Sequence, residues 1–251
     1  MITLFRKIRQ KLINSGSTTK YLLYAAGEIA LVMVGILLAL QVNNWNESRK
    51  IQASEIQILQ SLKAELSSNR DRLGDLLELH QEEYEDGLYL LSLFGNNIAG
   101  ISESRLDSAL GNIEAVYTFE ANDGYIKSLI ASSKMDYIQN GELKAYISSF
   151  DGLVIDAIQE NEQLQRILHE RLWPIIDGKL NALNRLNTYE VYNNFPMGTY
   201  KSDYSWFFSD HEMEDVVANI ISWKKTILDE EEILKKHIES MIQLINNELE
   251  K

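Results

Sequence analysis

The sequence predicts an all-α protein in which one N-terminal transmembrane helix continues into an antiparallel helical bundle. Three observations predict it. Residues 21–40 are almost unbroken apolar sequence, only two prolines occur in 251 residues, and beyond the apolar run hydrophobic residues recur at helical rather than alternating spacing. We divide the chain into a basic cytoplasmic amphipathic segment (1–20), a membrane helix (21–42) and an exported acidic helical-bundle domain (43–251).

Charge is distributed to match that division. Residues 1–50 hold seven Lys/Arg against two Asp/Glu, and residues 51–251 hold 17 against 35, so the two parts carry +5 and −18. A basic head beside an apolar stretch suits anionic lipid, whereas an acidic body repels phosphates and argues against nucleic acid as a partner. The chain has no cysteine, which excludes disulfide scaffolds, Cys-ligated zinc and thiol catalysis.

The stretch Tyr21 to Leu40 carries one ionisable group, Glu28. As a helix it rises roughly 30 Å, the hydrocarbon thickness of a bilayer. Tyr21 and Tyr24 mark one interface and Trp45 the other. Arg6, Lys7, Arg9, Lys11 and Lys20 precede the run while only Arg49 and Lys50 follow closely, so the positive-inside rule expects a cytoplasmic N-terminus and a periplasmic C-terminal domain on the inner membrane. Gln41, Val42 and Asn43 offer no small-residue cleavage pattern, so the segment reads as an uncleaved signal anchor. Residues 2–13 put Leu4, Phe5, Ile8 and Leu12 on one side of a short helix expected to lie on the inner leaflet.

Within the span, Tyr21, Glu28, Gly35, Ala39 and Val42 fall within about 40° of one line at the helical angular step. Glu28 thus shares a face with small residues that let another backbone approach, the pattern of a helix–helix interface in the membrane. The partner expected there is a second copy of the chain or another envelope protein. The alternative is that Glu28 is protonated or snorkels to the inner headgroups.

The exported domain starts with a helix whose apolar positions, Leu59, Leu62, Leu66, Leu73 and Leu76, drift forward to Leu77, Tyr84, Leu88 and Leu91, as a 3.6-residue period requires. Gly95-Asn96-Asn97 ends it. A short amphipathic stretch covers Arg105 to Ile113, and Asn122-Asp123-Gly124 opens a helix running to about Tyr137. Asn140-Gly141 opens a long helix with Leu143, Ile147, Phe150, Val154, Ile158, Leu164, Leu168, Leu172 and Ile175 on one stripe, kinked near its end by Pro174. Ser209 with Glu212 forms a capping-box pattern before the last helix, whose stripe is Val217, Ile220, Ile227, Leu234, Ile238, Met241 and Ile245.

Between the last two long helices, residues 184–210 show no readable period but carry Tyr189, Tyr192, Phe195, Tyr200, Tyr204, Trp206, Phe207 and Phe208. Such a segment either packs its rings over the bundle end as a lid or presents them to a ligand or partner; Tyr192, Phe195, Tyr200, Tyr204 and Trp206 are the candidate surface. Both readings stay open.

Catalytic chemistry is hard to find. None of the four histidines has an acidic residue three positions before it, so the Glu-x-x-His signature of di-iron bundles is missing. His80 with Glu83 and His211 with Glu214 have a chelating i, i+3 spacing that chance supplies readily among 37 carboxylates. The acid runs Glu82 to Asp86 and Asp229 to Glu232 read as solvated helix faces. No phosphate loop, nucleophile elbow or zinc-protease motif occurs. We therefore expect no cofactor, no metal site and no enzymatic activity.

The stretch KYLLYAAGEIALVMVGILLALQVNNWNESRK, residues 20–50, resembles the opening of a family of bacterial membrane proteins known as domain of unknown function 6090. Its pattern is a basic FRKIRQ start, here Phe5 to Gln10, then YLLYAxGEI at Tyr21 to Ile29 and GILxALQxNNWNE at Gly35 to Glu47. Leu129 to Leu143, LIASSKMDYIQNGEL, is similar to a second landmark, with Ser133 where the family often has Gly. The resemblance implies an integral membrane protein of Bacteroidota type and supplies no activity, substrate or catalytic residue. The function expected is that of a membrane-anchored interaction or accessory protein of the cell envelope, with a ligand-sensing ectodomain acting through a partner as the alternative.

Overall fold

The structure, a computed structural model, describes residues 18–192 and 194–251. The predicted inner-leaflet segment 2–13 and the Phe5 to Gln10 motif lie outside the described residues. The chain divides into two units, Met1–Gln57 and Ile58–Lys251.

Helix α1 spans Thr18–Leu91. In the first unit it carries the apolar run, and Leu22, Leu23, Ile29, Leu31 to Val34, Ile36 to Leu38 and Leu40 are all exposed on the isolated chain. A helix so long and apolar, with none of its most apolar window buried, can cross a membrane. Arg49 stacks over the Trp45 ring at 5.3 Å, and Lys50 pairs with Glu47 at 3.1 Å.

The second unit is built on three long helices: α1 from Ile58 onward, α4 (Gly141–Ile167) and α8 (His211–Leu249). His80 and Glu83 of α1 meet Glu231 and Lys224 of α8, and Asn140, the cap of α4, reaches Glu248 near the end of α8 at 2.7 Å. Helix α8 therefore runs antiparallel to both α1 and α4. Because α1 and α4 point the same way, the chain between them must return the length of the bundle. It does so through α2 (Glu103–Glu114), an extended segment, α3 (Gly124–Ala131) and a 3-10 turn at Ser133–Tyr137.

That return is fixed by side chains of α1. Asp123 makes no capping bond to α3; instead the Glu65 carboxylate accepts the Tyr125 and Ile126 amides at 2.8 and 3.0 Å. A tertiary carboxylate thus fills the role a local cap usually plays, and its charge suits the positive end of the helix. One turn along, buried Asn69 donates to the Asn122 carbonyl and accepts from its amide, both at 2.8 Å.

Two predicted elements are corrected. The helix expected from Gly124 to Tyr137 breaks at Ser132, which is extended and whose hydroxyl accepts from the Lys134 amide to start the 3-10 turn. The predicted Ser209 capping box does not form: Asp210 caps α8, accepting from the Glu212 and Met213 amides, while Ser209 donates back to Trp206.

The predicted Pro174 kink takes a specific form. Pro174 brings no amide and its ring crowds the carbonyl four residues earlier, and the helix loosens into a π turn at Leu168–Leu172 before restarting as α5, Trp173–Ile176. Past it Ile176, not the predicted Ile175, is buried. Short helices α6 (Ala182–Leu186) and α7 (Tyr204–Phe207) follow.

The core falls into two apolar clusters. One gathers Leu59, Leu62, Leu66, Phe150, Leu234, Ile238 and Ile245 among others. The other gathers Leu90, Leu110, Leu168, Leu172, Phe207, Val217 and Ile220. Between Leu77, in the first, and Leu90, in the second, the buried positions of α1 are His80, Glu83 and Gly87. The predicted stripe through Leu88 and Leu91 is thus corrected, with Leu88 exposed. The α8 stripe from Val217 to Ile245 is buried as predicted, and Lys224 and Glu231 complete it at alternating three- and four-residue steps.

Candidate functional site

The seam between the two clusters is ionic. His80 Nδ1 lies 2.8 Å from Glu231 Oε2, and Lys224 Nζ donates to Glu83 Oε2 at 2.6 Å and to the Ala115 carbonyl at 3.0 Å. All four side chains are buried. Each acid run predicted to be solvated therefore sends one carboxylate, Glu83 or Glu231, into the core. The predicted chelating pair His80 and Glu83 is drawn apart in its bonding, each residue taking its partner from α8.

Burial pushes the Glu83 and Glu231 carboxyls above the usual carboxylate range, opposed by Lys224 and His80 respectively. It pushes the Lys224 ammonium down, opposed by Glu83. Every one of these groups is displaced toward its neutral form by desolvation, and only the pairing resists. Glu83 Oε1 and Glu231 Oε1 have no hydrogen-bond partner, and neither does the side chain of Asn161, which sits on α4 between Ala157 of one cluster and Leu164 of the other.

A second polar cluster lies where α2 meets α6. Arg185, 3% exposed, directs Nε at the Glu114 carboxylate, 3.1 Å from Oε1. Burial outweighs that attraction, and with Asp177 nearby the Glu114 carboxyl is raised to about 7. Tyr204 donates to Asp107 at 2.5 Å, and the Tyr189 hydroxyl donates to the Gly111 carbonyl. Gly111 makes this contact feasible, because a Cβ there would stand 2.9 Å from Thr188 Oγ1 and 3.3 Å from the Arg185 carbonyl. Beside the pair opens a pocket of about 250 Å³ lined by Glu114, Trp173, Asp177, Ala182, Arg185 and Leu186. Arg185 Nη1 has no hydrogen-bond partner. Sequence reasoning passed over Arg185, Glu114 and Asp177, for no spacing links residues that the fold alone assembles.

The aromatic segment splits between its two predicted roles. Tyr204, Phe207 and Phe208 are buried in the second cluster, and Trp206 packs against it with Lys179 Nζ 3.7 Å above its ring. Tyr204 is thereby withdrawn from the predicted surface. Tyr192, Phe195 and Tyr200 are exposed, beside Val191 and Met197, and the Tyr192 and Phe195 rings pack together at 5.2 Å. Asn181 ties the segment down, donating to the Tyr200 carbonyl at 2.7 Å while capping α6.

In the first unit, Gly35 and Ala39 are exposed and Glu28 half-buried; a Cβ on Gly35 would meet nothing within 4 Å. The other predicted chelating pair, His211 and Glu214, lies 3.9 Å apart with His211 exposed to solvent. Among the described residues no three His, Cys, Asp or Glu side chains converge as a metal site.

No curated protein and no solved structure matches the chain. Residues 28–170 match the family of unknown function DUF6090. The match takes in the second half of the membrane motif, from Glu28, and all of the Leu129 to Leu143 landmark. Covering more than half of the chain, it establishes that this protein belongs to the DUF6090 family.

Proposed function

We propose that this chain is a single-pass, membrane-anchored helical-bundle protein of the cell envelope that works as an interaction or accessory protein. Its N-terminus lies in the cytoplasm, and the acidic domain from residue 43 onward lies in the periplasm, anchored in the inner membrane. One observation carries the reading: the large aliphatic side chains from Leu22 to Leu40 are exposed along one helix, whereas the second unit gathers most of its own into two buried clusters. Exposed apolar area of that size needs lipid or protein around it. The excess of Lys and Arg before the span supports the orientation.

Two surfaces support a partner. The Glu28, Gly35 and Ala39 face suits a second copy or another membrane helix, and the exposed rings of Tyr192, Phe195 and Tyr200 suit a protein contact, since aromatic anchors dominate such interfaces. Cross-linking in native membranes followed by affinity purification tests this. A dimer or a reproducible envelope partner is expected, weakened by Gly35→Leu or by the pair Tyr192→Ser and Phe195→Ser. Recovery of monomer alone from the native sequence would refute it. Protease added to intact spheroplasts tests the topology, and sparing of residues 58–251 would overturn it.

A ligand-sensing ectodomain that signals through a partner is the second reading. The pocket beside Arg185 favours it.

A further inference from the structure

Helices α1 and α8 lie side by side, and a groove of about 600 Å³ runs between them, lined by residues of these two helices alone. The pairs His80 with Glu231 and Glu83 with Lys224 set the antiparallel register, so Lys235 falls level with Gly74 at one end of the groove and Lys225 level with Glu85 at the other. Between these ends stand four carboxylates, Glu78 and Glu82 on α1 and Asp229 and Glu232 on α8. All but half-buried Glu232 are exposed. Lysines of α8 itself answer the α8 pair: Lys225 bonds Asp229, and Lys236 stands 3.8 Å from Glu232. Glu78 and Glu82, one turn apart, make no ion pair or hydrogen bond among the described residues. The middle of the groove is therefore a strip of negative charge whose α1 wall has no counter-charge.

The groove also has an apolar base and an open end. Tyr84 is half-buried there, and Leu77 and Leu228 keep 6% and 7% of their surface exposed. Gly74 sits inside a helix, where glycine is disfavoured. Ile221 fills the space a side chain on Gly87 would need, but a Cβ on Gly74 would meet nothing within 4 Å. A glycine facing open space on a groove lets another backbone come close. We propose that this groove docks a basic amphipathic helix of another envelope protein, its apolar stripe over Tyr84, Leu77 and Leu228 and its Lys or Arg flanks against the two rows of carboxylates. The spacing suits a helix, because carboxylates recur about once per turn on each wall, as flanking cations do on a third helix. A second copy of the domain, −18 over residues 51–251, brings like charge, and so does anionic lipid. The proposal gives the interaction reading its partner chemistry and rests on it, yet it uses neither the Gly35 face nor the exposed rings.

Fluorescence anisotropy on the full chain in zwitterionic nanodiscs, with empty discs as the baseline, tests it. The probe is a labelled peptide of about 18 residues with leucine on one stripe and lysine on both flanks. It binds saturably, and the same residues scrambled out of the stripe bind at least about tenfold more weakly. Glu78→Gln with Glu82→Gln weakens binding about fivefold or more. Gly74→Leu, which fills the open end without lowering the melting temperature, weakens it by a similar factor. Asp156→Asn with Glu162→Gln, which removes as much charge from exposed positions on α4, leaves it unchanged. No binding of the striped peptide, equal binding of the scrambled one, native affinity in Gly74→Leu, or an equal loss in the α4 variant would each overturn the proposal. Purified protein and a synthetic probe suffice, so this failure is distinct from failure to recover a native partner.

Discussion

Lys224 Nζ stands 2.6 Å from Glu83 Oε2 across 141 positions of sequence, with both side chains at most 5% exposed. The contact joins α8 to α1 at the seam between the two apolar clusters and fixes their relative register, because sliding either helix by a turn would place a charge against hydrocarbon. Pairing and desolvation nearly offset each other in such a bridge, so its removal in halves and its removal whole should differ.

Lys224→Ala leaves the Glu83 carboxylate buried without its counter-charge and is expected to destabilise the domain by about 3–5 kcal/mol. Replacing both partners, Glu83→Leu with Lys224→Met, should cost less, with the Ala115 carbonyl that loses its donor setting a remainder of about 1–3 kcal/mol. Urea denaturation of the two variants checks this, and equal losses in both would show that the pair itself is strongly favourable.

At Gly87 any side chain meets α8. A Cβ there would lie 1.7 Å from Ile221 Cδ1 and 2.9 Å from its Cγ1. Gly87→Ala should cost about 1–3 kcal/mol by overpacking, despite alanine's higher helix propensity. Adding Ile221→Val, which removes the nearest atom, should recover part of that loss in thermal unfolding.

Glu65 caps a helix to which it does not belong. Glu65→Ala should destabilise by about 1–2 kcal/mol, the size of a lost cap. Hydrogen exchange provides the specific signature: the Tyr125 and Ile126 amides, which bond to Glu65, should lose protection ahead of the rest of α3.

Glu114 sets a pH dependence. Its folded carboxyl titrates near 7 against an ordinary value of 4.5, so the folded state holds the proton more tightly than the unfolded one. The contribution to stability is fully present below about pH 4.5 and is lost as pH rises through about 7. Glu114→Gln, which keeps an oxygen to accept from Arg185 but cannot ionise, should gain on the native protein as pH is raised from 5 to 8. Parallel melting-temperature profiles for the two proteins would contradict this assignment.

Local sequence determined a good deal here: the apolar stretch long enough to span lipid, the all-α architecture, the stripe from Val217 to Ile245 and the disturbance at Pro174. Each follows from periodicity or backbone chemistry acting over neighbouring residues. Tertiary structure decided which charges go inside. Helical period puts Glu83 and Glu231, and not Glu82 or Glu230, in line with the buried apolar positions, but it does not say that a charge can be held there; what allows it is a cation or imidazole at the facing position on another helix. The same holds for Arg185, held by a carboxylate 71 residues away, and for the aromatic segment, where contact with the second cluster took in Tyr204 and Phe207 and left Tyr192 and Phe195 outside. Burying a charge or a ring depends on a partner that only the folded chain brings near, whereas helix formation depends on residues already adjacent.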